Sequence, residues 1–236
     1  MCGYEKNFND IYFADSKNLS RYQAYAKLNP QLNSQEVVWH VNNNLDKPKY
    51  SFDIPVTDFN NPCVIVNKFF KLPLDYCPAN LVEADGIPMT NETAIAYKKM
   101  QDAAKAEGMS ISATSAYRSA KLQEETYNRY LKDLLLPEEV DKTVARPGHS
   151  EHQTGLAVDI QGSIPGGRNI HKTPEAKWLK DNCHKFGFIL RYLPETTFIT
   201  GYASEPWHFR YVGTDISLDM HQKGIKTLEE YVQRYR

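Results

Sequence analysis

The sequence predicts an α+β fold, and three observations carry that prediction. Helical patterns and short alternating runs are mixed without a regular βαβ rhythm. The alternating runs, such as "GLAVDI" and "EPWHFRYVG", are strand-length and aromatic or branched. Finally, the chain changes character near residue 60, from a polar Asn-, Asp- and Tyr-rich segment to one with apolar runs. The expected organisation is a helical arm over residues 1–60 followed by a main domain of mixed helices and short strands over 61–236.

In the arm, "NLSRYQAYAKLNP" reads as a helix with Leu19, Tyr22 and Ala26 near one face, stopped by Pro30. "SQEVVWHVNNNL" reads as a second helix with Ser34 at its N-cap. Pro48, Pro55 and Pro62 mark an extended connector. "CVIVNKFF" then predicts a buried strand, and "KLPLDYCPANLV" a loop. "NETAIAYKKMQDAAKAEG" predicts a helix capped by Asn91, with Ile95, Met100 and Ala103 inward and Gly108 as its stop. "MSISATSAY" follows as a strand. "SAKLQEETYNRYLKDLL" is a helix with Leu122, Tyr130 and Leu134 as its apolar stripe. "TPEAKWLKDNCHKFGF" is another, with Thr173 as cap, Pro174 in the first turn, Leu179, Cys183 and Phe186 inward, and Gly187 at its end. "FILRYL" and "EPWHFRYVG" are strands, and Thr227 with Glu230 begins a capping box for the last helix.

Bulk properties exclude several classes of function. The net charge of -1 offers no field for nucleic acid or an anionic membrane. No apolar run is long enough to span a bilayer. The opening "MCGYEKNFND" lacks the apolar core of a signal peptide, which leaves either a cytosolic chain or one whose leader is not part of this sequence. Cys2, Cys63, Cys77 and Cys183 form no CxxC pair, so a thiolate zinc site is not indicated. Free buried thiols are the plain expectation, with a Cys63–Cys77 disulfide as the alternative in an oxidising compartment.

The chemistry concentrates in two stretches. In "GHSEHQTGLAVDI", Leu156, Val158 and Ile160 alternate on one face of a strand, while Gly155, Ala157 and Asp159 share the other. Asp159 therefore projects from a strand whose neighbours on that face have almost no side chain. A turn over residues 153–155 would bring His152 back beside it. In "SEPWHFRYVG", Trp207, Phe209 and Tyr211 form one face, and His208 and Arg210 the other. A straight strand would put Glu205 and His208 on opposite faces. Pro206 predicts a bend or bulge that lets them converge. A catalytic zinc takes about three protein ligands and leaves one position open. His152, Asp159 and His208 could supply those three, with Glu205 beside them as a base. Taken singly, each has a blander reading: a hydrogen-bonded core histidine, a turn aspartate, a surface glutamate. His149 is left between substrate contact and space-filling, while His40, His171, His184 and His221 are read as structural.

At these residues the sequence resembles a known family. "SEHQTGLAVD" fits Ser-x-His-x-x-Gly-x-Ala-x-Asp, and "VNKFFKLPLDYCPANLV", "SAYRS", "ARPGHSEHQTGLAVDI" and "ITGYASEPWHFRYVG" follow in the order of family landmarks. The resemblance is to the VanY-type D-alanyl-D-alanine carboxypeptidases and spans about residues 60–236. It implies a Hedgehog/DD-peptidase-like fold, with a small antiparallel sheet flanked by helices that carries the metal site, and a Zn2+ cofactor held by His152, Asp159 and His208. It also implies Glu205 as catalytic base, Arg118 on the scissile carbonyl, and Ser150 and Gln123 as substrate-binding residues. The implied partner is a D-Ala-terminated peptidoglycan stem peptide, met outside the cytoplasmic membrane by a monomer with no nucleic-acid role. Three other readings stay open: an L,D-carboxypeptidase, a D-Ala-D-Ala dipeptidase, and a wall-binding module with a structural zinc.

Overall fold

A computed structural model describes residues 6–134, 136–165 and 167–235. The arm folds as a helical hairpin of α1 (Leu19–Leu28) and α2 (Ser34–Asn42), which bury Tyr22, Tyr25, Val37, Val38 and Val41 with Phe8. The N-cap of α2 is Asn33, one residue before the predicted Ser34. Its side chain accepts from the Glu36 amide at 2.9 Å, and the Glu36 carboxylate accepts from the Asn33 amide at 2.7 Å.

Beyond the connector, β1 (Ile54–Pro55) and β2 (Phe70–Lys71) form a short parallel pair. "CVIVNKFF" is buried at Cys63, Ile65, Val66 and Phe69, but most of it is not a strand. The Asn67 side-chain oxygen accepts from the amides of Phe69 and Phe70 at 3.0 and 3.2 Å, curling the backbone into a turn that breaks any ladder. The segment read as a loop runs into a hairpin, β3 (Leu81–Ala84) and β4 (Ile87–Thr90). Asp85 and Gly86 make its turn with φ of 53° and 73°. Asp-Gly between apolar residues is the sequence signal for such a turn.

Next come α3 (Asn91–Ala106), β5 (Ser112–Ser115), α4 (Ala120–Leu134), α5 (Pro137–Val140), β6 (Ala157–Gln161) and α6 (Pro174–Asn182). They are followed by β7 (Phe188–Tyr192), α7 (Thr197–Thr200), β8 (Glu205–Tyr211), α8 (Thr214–Lys223) and α9 (Leu228–Tyr235). Thr90, not Asn91, caps α3, and the helix turns Tyr97, Met100 and Ala104 inward while Ile95 is 51% exposed. In α4 the inward residues are Ala120, Gln123 and Tyr127, and Leu122 is 49% exposed. Tyr127 packs with Val140 and Val144. The side chain of Leu134 lies outside the described residues. For α6, Leu179 and Cys183 are buried and Phe186 packs against the same core, as the sequence predicts. Cys63 and Cys183 are buried free thiols and Cys77 is an exposed one, so no Cys63–Cys77 disulfide forms; Cys2 lies outside the described residues.

The central sheet is four-stranded and antiparallel, in the order β5-β6-β8-β7. One face carries Val158, Ile160, Phe188 and Phe209 into the main core, against Tyr97, Met100 and Leu179. At about 25 cal/mol per Å² of apolar area, this burial is what fixes the strand register. The opposite face carries Asp159 and His208 into a cleft.

Candidate active site

The two chemical stretches meet because β6 and β8 are hydrogen-bonded neighbours in which Asp159 pairs directly with His208. His152 arrives by a 3-10 turn, Glu151–Thr154, whose N-cap is Ser150: its hydroxyl accepts from the His152 amide at 3.3 Å. The turn ends at Gly155, φ +67°, where an added Cβ would stand 3.0 Å from Thr90 Cγ2 and 3.3 Å from the Thr90 amide. Only glycine fits both the left-handed backbone and that approach.

Between Leu190 and Tyr192 the β7–β8 register slips: Leu190 faces Phe209, yet Tyr192 faces Glu205. The additional residues on β8 form the bulge that Pro206 predicts. Glu205 is thereby brought to His208, with Oε2 3.8 Å from Nδ1.

His152, Asp159 and His208 each offer one donor atom, and these lie within 4.8 Å of one another. His152 Nε2 is 3.4 Å from Asp159 Oδ2, and His208 Nδ1 is 3.2 Å from Asp159 Oδ1. Ligands about 2 Å from a common tetrahedral centre stand roughly 3.3 Å apart, the spacing of each histidine from Asp159, and two imidazoles with a carboxylate are a donor set that suits zinc. The outer nitrogens are already engaged. His152 Nδ1 donates to the Ala116 carbonyl at 2.6 Å, and His208 Nε2 lies 3.2 Å from Glu151 Oε2. Such partners leave the inner lone pairs aimed at one point.

Titration directions agree with a cation-seeking site. Burial works against the charge on Asp159, yet His152 and His208, by charge and hydrogen bond, hold the carboxyl well below its usual range. Burial lowers His208 too, but its hydrogen bonds to Asp159 and Glu151 and the nearby carboxylate charges outweigh that and lift it to about 9. A cationic proton is thus held where a metal cation fits.

Arg118 stands across the cleft, Nη2 4.0 Å from Asp159 Oδ2. Its fork is fixed by donation to Gln123 Oε1 and Ser115 Oγ, each at 3.0 Å. Gln123 in turn donates to the Ala145 carbonyl at 2.7 Å. Gln123 and Ser150 both line the cleft, a cavity of about 380 Å³, but Gln123 holds Arg118 and Ser150 caps the His152 turn. His149 also lines it, with its nitrogens turned to the Asn67 carbonyl (2.8 Å) and Asp53 (3.3 Å), so it stands outside the donor cluster. Nor do His40, His171, His184 and His221 join that cluster; His184 and His221 stack on each other at 3.6 Å.

Sequence reasoning misses the charged residues behind His208. Glu151 Oε1 accepts from Arg191 Nε at 2.8 Å and Arg210 Nη1 at 2.9 Å. Arg191 also grips Glu229 with two bonds, of 2.9 and 2.7 Å. All four side chains are 0–1% exposed. The signal was an arginine inside the otherwise apolar strand "FILRYL", and another sharing a face with His208.

Three donors lining a cleft, a carboxylate at their edge and a fixed guanidinium opposite define the layout of a mononuclear metallohydrolase. Comparison with known proteins narrows the class. The family model for VanY, D-alanyl-D-alanine carboxypeptidase, matches residues 86–214. The putative carboxypeptidase YodJ of Bacillus subtilis (strain 168) is 38% identical over 189 residues, covering 75% of this chain and 68% of that protein. The structure of the LdcB LD-carboxypeptidase superposes with a TM-score of 0.71 at 35% identity, covering 77% of this chain and 90% of that one. A vancomycin-resistance D,D-pentapeptidase VanY in complex with Zn(II) gives 0.64 at 32% identity, over 72% and 98%. The chain belongs to the VanY family of D-alanyl-D-alanine carboxypeptidases. Among the described residues, no helix is long and apolar enough to cross a membrane.

Proposed function

We propose that this chain removes the terminal D-alanine from peptidoglycan stem peptides, using zinc held by His152, Asp159 and His208. The observation that best supports this is the three-donor cluster with Glu205 at its edge, 3.8 Å from His208 Nδ1. Zinc bound there supplies Lewis acidity, which polarises a carbonyl and makes water acidic enough to attack near neutral pH.

The protein's own groups do the rest. Glu205 accepts the proton of the attacking water and returns it to the leaving amine. Arg118, always charged and preset by Gln123 and Ser115, donates to the carbonyl oxygen as negative charge develops there. Ser150 and Gln123 shape the wall against which the peptide lies. The catalytic unit is residues 61–236, carrying the 1–60 arm, and it acts as a monomer on the wall side of the membrane.

A second reading keeps the chemistry and shifts the bond. The likeness to the LdcB LD-carboxypeptidase favours L,D-cleavage of tetrapeptides. Mass spectrometry of muropeptides after incubation with zinc-loaded protein tests both. Pentapeptide losing one D-Ala supports the D,D reading. Tetrapeptide trimmed while pentapeptide persists favours the L,D reading. Hydrolysis of free D-Ala-D-Ala alone would point to a dipeptidase. No turnover of any of these by the zinc-loaded protein overturns the proposal.

A further inference from the structure

We infer that Glu151, clamped by Arg191 and Arg210, is a positioning residue that holds His208 in its Nε2–H tautomer and so sets the affinity of the site for its cation. The inference rests on the zinc reading above and adds a role for a residue outside the donor set.

Glu151 is fully buried, yet each of its oxygens has partners. Oε2 accepts from His208 Nε2–H at 3.2 Å, and Oε1 accepts from Arg191 and Arg210 at 2.8 and 2.9 Å. A carboxylate so held is an acceptor only. Facing it, His208 must present N–H at Nε2, so with a cation bound it is the Nδ1 lone pair that faces the shared donor point beside Asp159. The clamp is itself anchored. Arg210 donates to the Pro62 and Val64 carbonyls at 2.9 Å, and Arg191 is locked on Glu229. Glu229 also accepts from Asn67 at 3.3 Å, and its backbone carbonyl accepts from Asn43 of the arm at 3.2 Å. His208 is thus oriented by groups drawn from α9, both sheet strands β7 and β8, and the arm. His152 has the opposite arrangement: its Nδ1–H is fixed by the Ala116 carbonyl, leaving Nε2 inward. The two histidines therefore face the same point through different nitrogens.

Glu151→Gln is the sharp perturbation. An amide has one acceptor and one donor end. With the NH2 toward His208, donor meets donor and the proton is driven to Nδ1, where the inward lone pair is lost. With the NH2 toward the arginines, it confronts two buried guanidinium donors. The second arrangement keeps an acceptor on His208 but sets the amide donors against two buried cations, so the first prevails and the histidine loses its fixed presentation.

The test is zinc affinity by competition with a chromophoric chelator, with thermal unfolding of the same samples. Glu151→Gln is expected to bind zinc 10- to 100-fold more weakly than the wild type. Glu229→Gln disturbs the same buried cluster but leaves the Glu151–His208 contact, and should bind within roughly threefold of the wild type. Folded Glu151→Gln binding within threefold of the wild type overturns the inference, as does an equal loss in Glu229→Gln. Should the variants fail to fold, ¹⁵N NMR of the zinc-loaded wild type decides. A proton on His208 Nε2 together with one on His152 Nδ1 supports the assignment, and a proton on His208 Nδ1 overturns it. Wild-type protein that binds no zinc in the same titration overturns the zinc reading, and the inference with it.

Discussion

Glu205→Gln separates the chemistry from the metal. Glu205 opens β8, its side chain 12% exposed, with Oε2 3.8 Å from His208 Nδ1 and no role in the main core. Glutamine keeps the shape but removes the negative charge and the capacity to take a proton. A positioned general base contributes about 10²–10⁴ in rate, or roughly 2.7–5.5 kcal/mol at about 1.36 kcal/mol per tenfold. The expected result is therefore a fall of about 10²–10⁴ in kcat on a D-Ala-terminated muropeptide, with one zinc still bound per chain. Loss of a nearby negative charge also weakens cation binding, so the comparison belongs at saturating zinc, with the metal content of each sample measured. KM should move little, because Glu205 acts on the water and not on the peptide. A Glu205→Gln protein that retains more than about a tenth of wild-type kcat at full zinc occupancy would refute the base assignment.

Three further outcomes follow from the same geometry. Arg118→Lys keeps the charge but loses the planar fork whose two outer nitrogens bond Gln123 and Ser115 at once, so kcat/KM should fall on the order of 10² without loss of zinc; an unchanged value would remove Arg118 from the reaction. Ile160→Ala, on the core face of the strand that carries Asp159, should cost about 2–5 kcal/mol in urea unfolding while leaving zinc affinity near wild type; a parallel loss of affinity would mean that the two faces of the sheet are not independent. His40, in the arm, is lowered to about 4 by burial, against a small opposing pull from Glu36. Its native form therefore binds fewer protons than its unfolded form, whose pKa is near 6.5. The stability it contributes is complete above that value and declines as pH falls towards 4. Between pH 7 and pH 5 the wild type should lose roughly 1 kcal/mol more than His40→Phe after allowing for solvent screening, and identical slopes would contradict the shift.

Much of the site was legible because its parts sit in two short contiguous stretches. The alternation in "GLAVDI" separates Val158 and Ile160 from Asp159, and the structure keeps that division. The conflict between Glu205 and His208 on a straight strand called for a bulge, and the register slip opposite Tyr192 supplies it. Local caps were less legible. At α2 and α3 a run of capping-competent residues let the helix begin one position away from the predicted cap, at Asn33 and Thr90. The α4 stripe misled for a different reason. That helix turns Gln123 towards a polar cleft and packs Tyr127, with Tyr130 partly buried beside it, on Val140 and Val144, while Leu122 is left exposed at the cavity wall. Apolar periodicity finds the face towards a core, not the face towards a substrate. The cluster around Glu151 left only a partial local trace, Arg191 and Arg210 within strands, since Glu229 and Asn43 come from opposite ends of the chain.

That cluster also bears on why the fold tolerates buried charge. Replacing a buried ion network by apolar side chains is often neutral or stabilising, whereas removing a single partner costs about 3–5 kcal/mol. Stability alone is therefore a weak reason to keep two glutamates and two arginines at 0–1% exposure. Orientation is a stronger one. A lone buried carboxylate behind His208 would take up a proton and become a donor. Burial does push Glu151 that way, but Arg191 and Arg210, followed by His208, overcome it and hold the carboxyl far below its usual range. The arginines thus keep Glu151 a carboxylate, and so an acceptor. Because the two glutamates and two arginines sum to zero charge, they do so without adding net positive field to a site that must attract a cation. An apolar replacement could match the packing, but it could not tell one nitrogen of His208 from the other.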